Sequence, residues 1–110
     1  AVVQNDTNSD GLLEAFAFYS ITENETATMV LDVICNKDGK WGSAAQQKIV
    51  AGGVDKIEFC DLDNDGIEEI LVGWEIYGAS EMQLAVYSFK DGKITQRMLQ
   101  KYSLFVCCDL

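Results

Sequence analysis

One stretch of this chain occurs twice, and that repetition restricts the fold more than any other feature. Asp6-Thr7-Asn8-Ser9-Asp10-Gly11-Leu12-Leu13-Glu14 aligns with Asp61-Leu62-Asp63-Asn64-Asp65-Gly66-Ile67-Glu68-Glu69 at an offset of 55, with an oxygen-bearing side chain at positions 1, 3, 5 and 9 and glycine at 6. Further on, Leu31, Val33 and Lys37-Asp38-Gly39-Lys40 align with Leu84, Val86 and Lys90-Asp91-Gly92-Lys93 at an offset of 53. The change of offset requires a two-residue deletion between Gly66 and Lys90. Its simplest place is the polar stretch that reads Thr22-Glu23-Asn24-Glu25-Thr26 in the first copy and Gly78-Ala79-Ser80-Glu81 in the second. Self-similarity at this period indicates tandem supersecondary units that bury their apolar faces against one another. The chain divides on this reading into repeats at 1–53 and 54–110.

Within each copy, the segments that follow the acidic stretch carry β-branched and aromatic residues between turn formers, which predicts strands at 15–20, 28–35, 70–76 and 84–89. Asp38-Gly39 and Asp91-Gly92 predict tight hairpins, because Asp-Gly accepts the positive φ of primed turns. The stretches 44–50 and 94–102 are read as strands too, although Ile94, Met98, Leu99 and Tyr102 also fit a helical stripe. The fold expected is all-β: two tandem four-stranded antiparallel units. A third copy is expected to begin at 105–110, where Phe105-Val106-Cys107-Cys108-Asp109-Leu110 echoes Ile57-Glu58-Phe59-Cys60-Asp61-Leu62, as though the chain belongs to a longer array.

The acidic stretches predict cation sites. Alternating Asp and Asn side chains that end in glycine gather several oxygens around one point, and a flexible all-oxygen set suits calcium better than magnesium or zinc. The ligands expected in the second copy are the side chains of Asp61, Asp63, Asp65 and Glu69 with the Ile67 carbonyl; in the first they are Asp6, Asn8, Asp10 and Glu14 with the Leu12 carbonyl. A polar Asx-turn without an ion is the competing reading of the first loop. An EF-hand begins in the same way but closes with Glu at position 12 between two helices. Here position 12 is Ala17 or Val72, inside an expected strand, and a dockerin-type loop fails at the same place.

The pattern that remains resembles the calcium loop of FG-GAP or VCBS repeats, in which an acidic loop joins two strands and closes at position 9. The resemblance covers nearly the whole chain, and residues 54–73 are its most specific part. It implies propeller-blade-like repeats and a calcium-stabilised module, secreted or at the cell surface, that binds or adheres to a protein or glycan ligand. An accessory or catalytic domain of a polysaccharide-active enzyme and a structural spacer are the alternatives. The family usually has Asp at position 9. Glu14 and Glu69 depart from that, and their longer reach raises the expectation of a weaker site or one completed by water.

Composition narrows the partners. The chain has 110 residues and a net charge of −10, from 18 acidic and 8 basic residues, a field that repels phosphate backbones and anionic lipid. Nucleic acid is therefore not expected as a partner, nor is membrane insertion, since no apolar run is long enough to span a bilayer. Exposed strand edges favour pairing with another copy, an edge-strand homo-oligomer. The N-terminal Ala1-Val2-Val3-Gln4 has no signal-peptide character, so any such peptide is expected to have been removed.

The four cysteines have no CxxC spacing and the chain has no histidine, which disfavours zinc. Apolar thiols are the default, with a disulfide framework open for a secreted chain. No Ser or Cys nucleophile has a histidine partner, no phosphate-binding glycine loop occurs, and Glu68 and Glu69 are strand neighbours that point to opposite faces. The chain reads as a non-enzyme, with Glu68 a solvated charge. Trp41, Trp74 and Tyr77 are expected in the core, with sugar stacking as the alternative. Asn5-Asp6-Thr7 and Asn24-Glu25-Thr26 fit a glycosylation pattern that has meaning only in a eukaryotic secretory pathway.

Overall fold

The computed structural model describes residues 2–7, 11, 13–76 and 82–102, with 98–102 described as backbone only. These residues form eight strands: β1 Val2–Asn5, β2 Glu14–Glu23, β3 Thr26–Lys37, β4 Lys40–Ile49, β5 Gly53–Cys60, β6 Glu69–Glu75, β7 Met82–Lys90 and β8 Lys93–Tyr102. There is no helix among the described residues. The strands make two antiparallel four-stranded meanders, ordered β1-β2-β3-β4 and β5-β6-β7-β8. The expected all-β architecture of two tandem four-stranded units is the one observed.

Turn chemistry accounts for the meanders. Asp38 and Gly39 both have positive φ, as do Asp91 and Gly92, the geometry of type I′ hairpins, whose twist matches that of the strands they join. The polar stretch 22–26 is a third tight turn: Asn24 and Glu25 take positive φ and β2 and β3 remain paired out to Glu23 and Thr26. The strands are therefore longer than the 15–20 and 28–35 expected. In the second copy Glu75 pairs with Met82, as their counterparts Ser20 and Met29 do in the first. Between those rungs lie residues 21–28 in one copy and 76–81 in the other, so the two-residue deletion falls in this connection.

The fourth strands show why their periodicity was ambiguous. Val33 pairs with Ala45 and Ile34 with Ser43, which leaves Ala44 as an extra residue. Val86 pairs with Met98 and Tyr87 with Gln96, which leaves Arg97 as the extra residue at the equivalent place. A bulge shifts the alternation by one residue, and Ile94 and Met98 consequently oppose residues of different faces, Phe89 and Val86. That is the origin of the helix-like spacing; β8 is a strand.

One core lies between the sheets. Phe16, Phe18, Met29, Leu31 and Val33 from the first sheet pack with Ile70, Val72, Trp74, Ala85, Tyr87 and Phe89 from the second. Phe16 meets Phe59 at 5.0 Å between ring centroids and Phe18 meets Trp74 at 6.1 Å, both tilted. Trp74 is fully buried and its Nε1–H donates to the Tyr87 hydroxyl at 3.0 Å, which satisfies both polar atoms inside the core. Burial raises the Tyr87 hydroxyl pKa, and the Trp74 bond partly opposes this. Trp74 is thus a core residue, whereas Trp41 is 52% exposed; Tyr77 lies outside the described residues.

The two repeats do not use the same face. Phe16, Leu31 and Val33 are buried between the sheets, yet their counterparts Leu71, Leu84 and Val86 form a separate apolar cluster with Cys60 on the opposite side of the second sheet. Conversely, Ile70, Val72 and Ala85 enter the shared core, while their counterparts Ala15, Ala17 and Asp32 face away from it on the first sheet. The packing is head to tail: one face of the first repeat meets the other face of the second. On the outward side of the first sheet, Asp32 accepts hydrogen bonds from the Ser43 hydroxyl at 2.6 Å, Tyr19 at 3.0 Å and Gln46 at 3.0 Å. Leu31→Ala, which truncates a fully buried side chain, is expected to cost about 2–5 kcal/mol in chemical denaturation. Val2→Ala, at a position 67% exposed, should stay within about 0.5 kcal/mol.

Candidate metal centre

The loop between β5 and β6 is organised by its own carboxylates. Asp61 Oδ1 accepts the Asp65 N–H at 3.1 Å and Oδ2 the Gly66 N–H at 2.8 Å, and Asp65 Oδ1 accepts the Ile67 N–H at 2.9 Å. Asn64 and Gly66 take positive φ, and the Gly66 value is one that a side chain would strain. Asp65 and Gly66 thereby turn their amides back onto Asp61 and fold the loop inward. Asp61, Asp63, Asp65 and Glu69 each place one carboxylate oxygen within 4.8 Å of the others, so these four residues can hold a metal ion. Ile67, expected to contribute its carbonyl, lies in the same loop with its N–H bonded to Asp65.

Glu69 is the residue that ties loop to sheet. It is the first residue of β6 and fully buried. Its Oε1 accepts the Leu62 N–H at 2.8 Å and the Asp63 N–H at 3.4 Å, two donors that would otherwise be left unpaired. The extra methylene of Glu relative to Asp is what lets the side chain span from the strand back to the loop's beginning. Oε2 is buried and has no hydrogen-bond partner. A carboxylate oxygen removed from water without a donor is costly, and a cation is the partner that such an atom fits.

Two basic side chains reach the cluster from the neighbouring strands. Lys90, at the end of β7, pairs with Asp65 Oδ2 at 2.6 Å, and Arg97, the bulge residue of β8, pairs with Asp63 Oδ2 at 3.0 Å. The Lys90 ammonium, helped by the Ile67 N–H, holds the Asp65 carboxyl well below the usual carboxylate range. Lys90 and Arg97 are raised in turn, by Asp65 and Asp63 first. Because the Asp65 shift is downward, its contribution to stability is complete above the unfolded carboxyl's range near pH 4. It is lost as the pH falls from there through the depressed folded value. Both pairs are partly exposed, so each contributes little to stability and is weakened by salt. Four carboxylates and two tethered cations leave two negative charges, which one divalent cation balances.

The first loop follows the same plan where it is described. Asp6 Oδ2 accepts the Gly11 N–H at 2.9 Å, matching Asp61 and Gly66. Glu14, also buried, accepts the N–H of Thr7 at 3.2 Å and its hydroxyl at 2.8 Å, matching Glu69 and Leu62. Asn8, Asp10 and Leu12 lie outside the described residues, as do the expected third copy at 105–110 and Cys107-Cys108. The two loops are joined to each other: the Glu68 N–H donates to the Thr7 carbonyl at 2.7 Å and the Asn5 side-chain amide to Glu68 Oε1 at 2.8 Å. Glu68 is therefore a bridge between repeats rather than a free surface charge, and the Asn5 amide is committed to it. Cys35 and Cys60 are both half-buried.

Sequence reasoning found the four carboxylates from their spacing. It missed Lys90 and Arg97, which stand 25 and 34 residues from their partners in sequence. Lys90 carried a signal only as part of the repeated Lys-Asp-Gly-Lys, and Arg97 carried none.

Compared with protein-family models, curated proteins and solved structures, the chain matches none of them.

Glu69→Ala leaves two loop amides without an acceptor and a space at the head of β6. It is expected to cost about 2–4 kcal/mol in urea unfolding. Glu69→Gln, whose carbonyl can still accept those amides, should cost less than half as much.

Proposed function

We propose that this chain is a calcium-stabilised extracellular module, secreted or at the cell surface, that binds a protein or glycan ligand and is built from FG-GAP/VCBS-like repeats within a larger array. The observation that carries the calcium reading is the unpartnered, buried Glu69 Oε2 in a group with Asp61, Asp63 and Asp65. The donor set is all oxygen, comes from an irregular loop and retains two negative charges after Lys90 and Arg97 are counted, a combination that favours calcium over magnesium, zinc or copper. Calcium there would tie the loop to β6 and stiffen one end of the second sheet.

The array reading is supported by the head-to-tail packing of the repeats. Faces of opposite kind meet inside the chain, so each outward face is of the kind that the other repeat already buries. Heterologous contacts of this sort propagate, closing into a ring or continuing as a filament. The ligand-binding role is taken from the resemblance of residues 54–73 to surface-exposed repeats. A chain without histidine, whose acidic side chains are spent on loop amides, is read as a binding module and not as a catalyst.

Thermal melts in calcium and in chelator, for the native chain and for Asp65→Ala, test the proposal. Calcium at a hundred times its dissociation constant stabilises by about 2.7 kcal/mol, which corresponds to roughly 10 °C in a chain of this size. The native protein should show that difference and Asp65→Ala should lose most of it. A native melting temperature unchanged by chelation would refute the calcium reading and leave the tandem repeat fold standing.

A further inference from the structure

We infer that Arg97 is a built-in competitor for the second acidic loop: a tethered cation that holds Asp63 when no metal is bound and lowers the affinity of the loop for calcium. This rests on the calcium reading above and adds to it a residue outside the loop that sets how strongly the ion is held.

The placement of Arg97 carries the argument. It is the extra residue of the β8 bulge, between the rungs Val86–Met98 and Tyr87–Gln96. Bulges re-aim side chains next to functional sites, and this one places the guanidinium 3.0 Å from Asp63 Oδ2 and 3.5 Å from the Ser88 hydroxyl. Leu84, Val86 and Ser88 alternate onto the outward face of the second sheet, so the arginine approaches the loop from the solvent side. The same bulge exists in the first repeat, but its extra residue is Ala44 and the residue matching Ser88 is Cys35. Both of those pack against the shared core. The bulge belongs to the repeat; the arginine belongs to the second repeat alone.

Charge then decides the effect. A guanidinium at hydrogen-bond distance from one of four ligand carboxylates repels an incoming divalent cation and occupies an oxygen of the ligand set. If it is displaced, its ion pair is lost; if it stays, its repulsion remains, and both lower the affinity. Without metal it acts the other way and relieves repulsion among the four carboxylates. Lys90 does the same at Asp65, but lysine also stands at the matching position of the first repeat, Lys37. Arg97 therefore distinguishes the two loops.

The test is calorimetric titration of calcium into the full chain, native, Arg97→Gln and Arg97→Lys, with melting temperatures in chelator alongside. Arg97→Gln should bind calcium about two- to fivefold more tightly, the range set by an exposed ion pair, with the gain shrinking at high salt. It should also melt lower than the native chain in chelator. Arg97→Lys, which keeps the charge, should stay near the native affinity. A variant that binds where the native chain does not would show the same competition in stronger form. If the native chain binds calcium and Arg97→Gln binds equally or less tightly, or if Arg97→Lys gains as much as Arg97→Gln, the inference falls and the calcium reading stands. If neither the native chain nor Arg97→Gln binds, both fall.

Discussion

Each repeat depends on one buried glutamate that reaches from the start of a central strand to the beginning of an acidic loop. Glu14 accepts from Thr7 and Glu69 accepts from Leu62 and Asp63. Backbone amides at such a corner have no strand to pair with, and leaving them unsatisfied inside the molecule costs on the order of 1–3 kcal/mol each. The glutamates remove that cost and fix where the loop sits on the sheet. With loop and sheet registered, Asp61 can fold the turn onto itself and the carboxylates converge. The same contact accounts for glutamate at position 9 of each loop: the longer side chain is needed to reach the amides.

The other organising fact is that the sheets pack with unlike faces. Two copies of one motif could form a symmetric sandwich by burying the same face twice. Here the aromatic pairs Phe16 with Phe59 and Phe18 with Trp74 join one face of the first sheet to the opposite face of the second. The two acidic loops consequently meet at the seam, where the Thr7 carbonyl accepts from Glu68, and the second is also reached by Arg97 from the outward face of its sheet. Equivalent sequences thus occupy different surroundings, and their side chains have diverged to match: Ala44 against Arg97, Cys35 against Ser88, Asp32 against Ala85.

Much of this was legible in the sequence because it is local. The Asp-Gly turns specify their own geometry, the repeat offset confined the deletion to the stretch between Gly66 and Lys90, and the alternating acids marked the loop. The illegible parts are those set by tertiary structure. A bulge erased the period-2 signal in β8 and left a helical-looking stripe in its place. Glu68 read as a solvated charge because its partners, Asn5 and Thr7, are about sixty residues away in sequence. The choice of faces cannot be inferred from alternation in the second repeat, since β6 and β7 carry apolar residues on both faces of their sheet.

The central claim is that the acidic loop 61–69 is a defined cation site and not a diffuse patch of negative charge. Amide proton–nitrogen NMR during a calcium titration tests it at the level of single residues. The account predicts saturable shifts at Leu62, Asp63, Asp65, Gly66 and Ile67, whose N–H groups bond to the ligand carboxylates, with little change at exposed acids elsewhere such as Asp38 and Asp55. Shifts that are absent, or that spread evenly over the exposed acids without saturating, would contradict it.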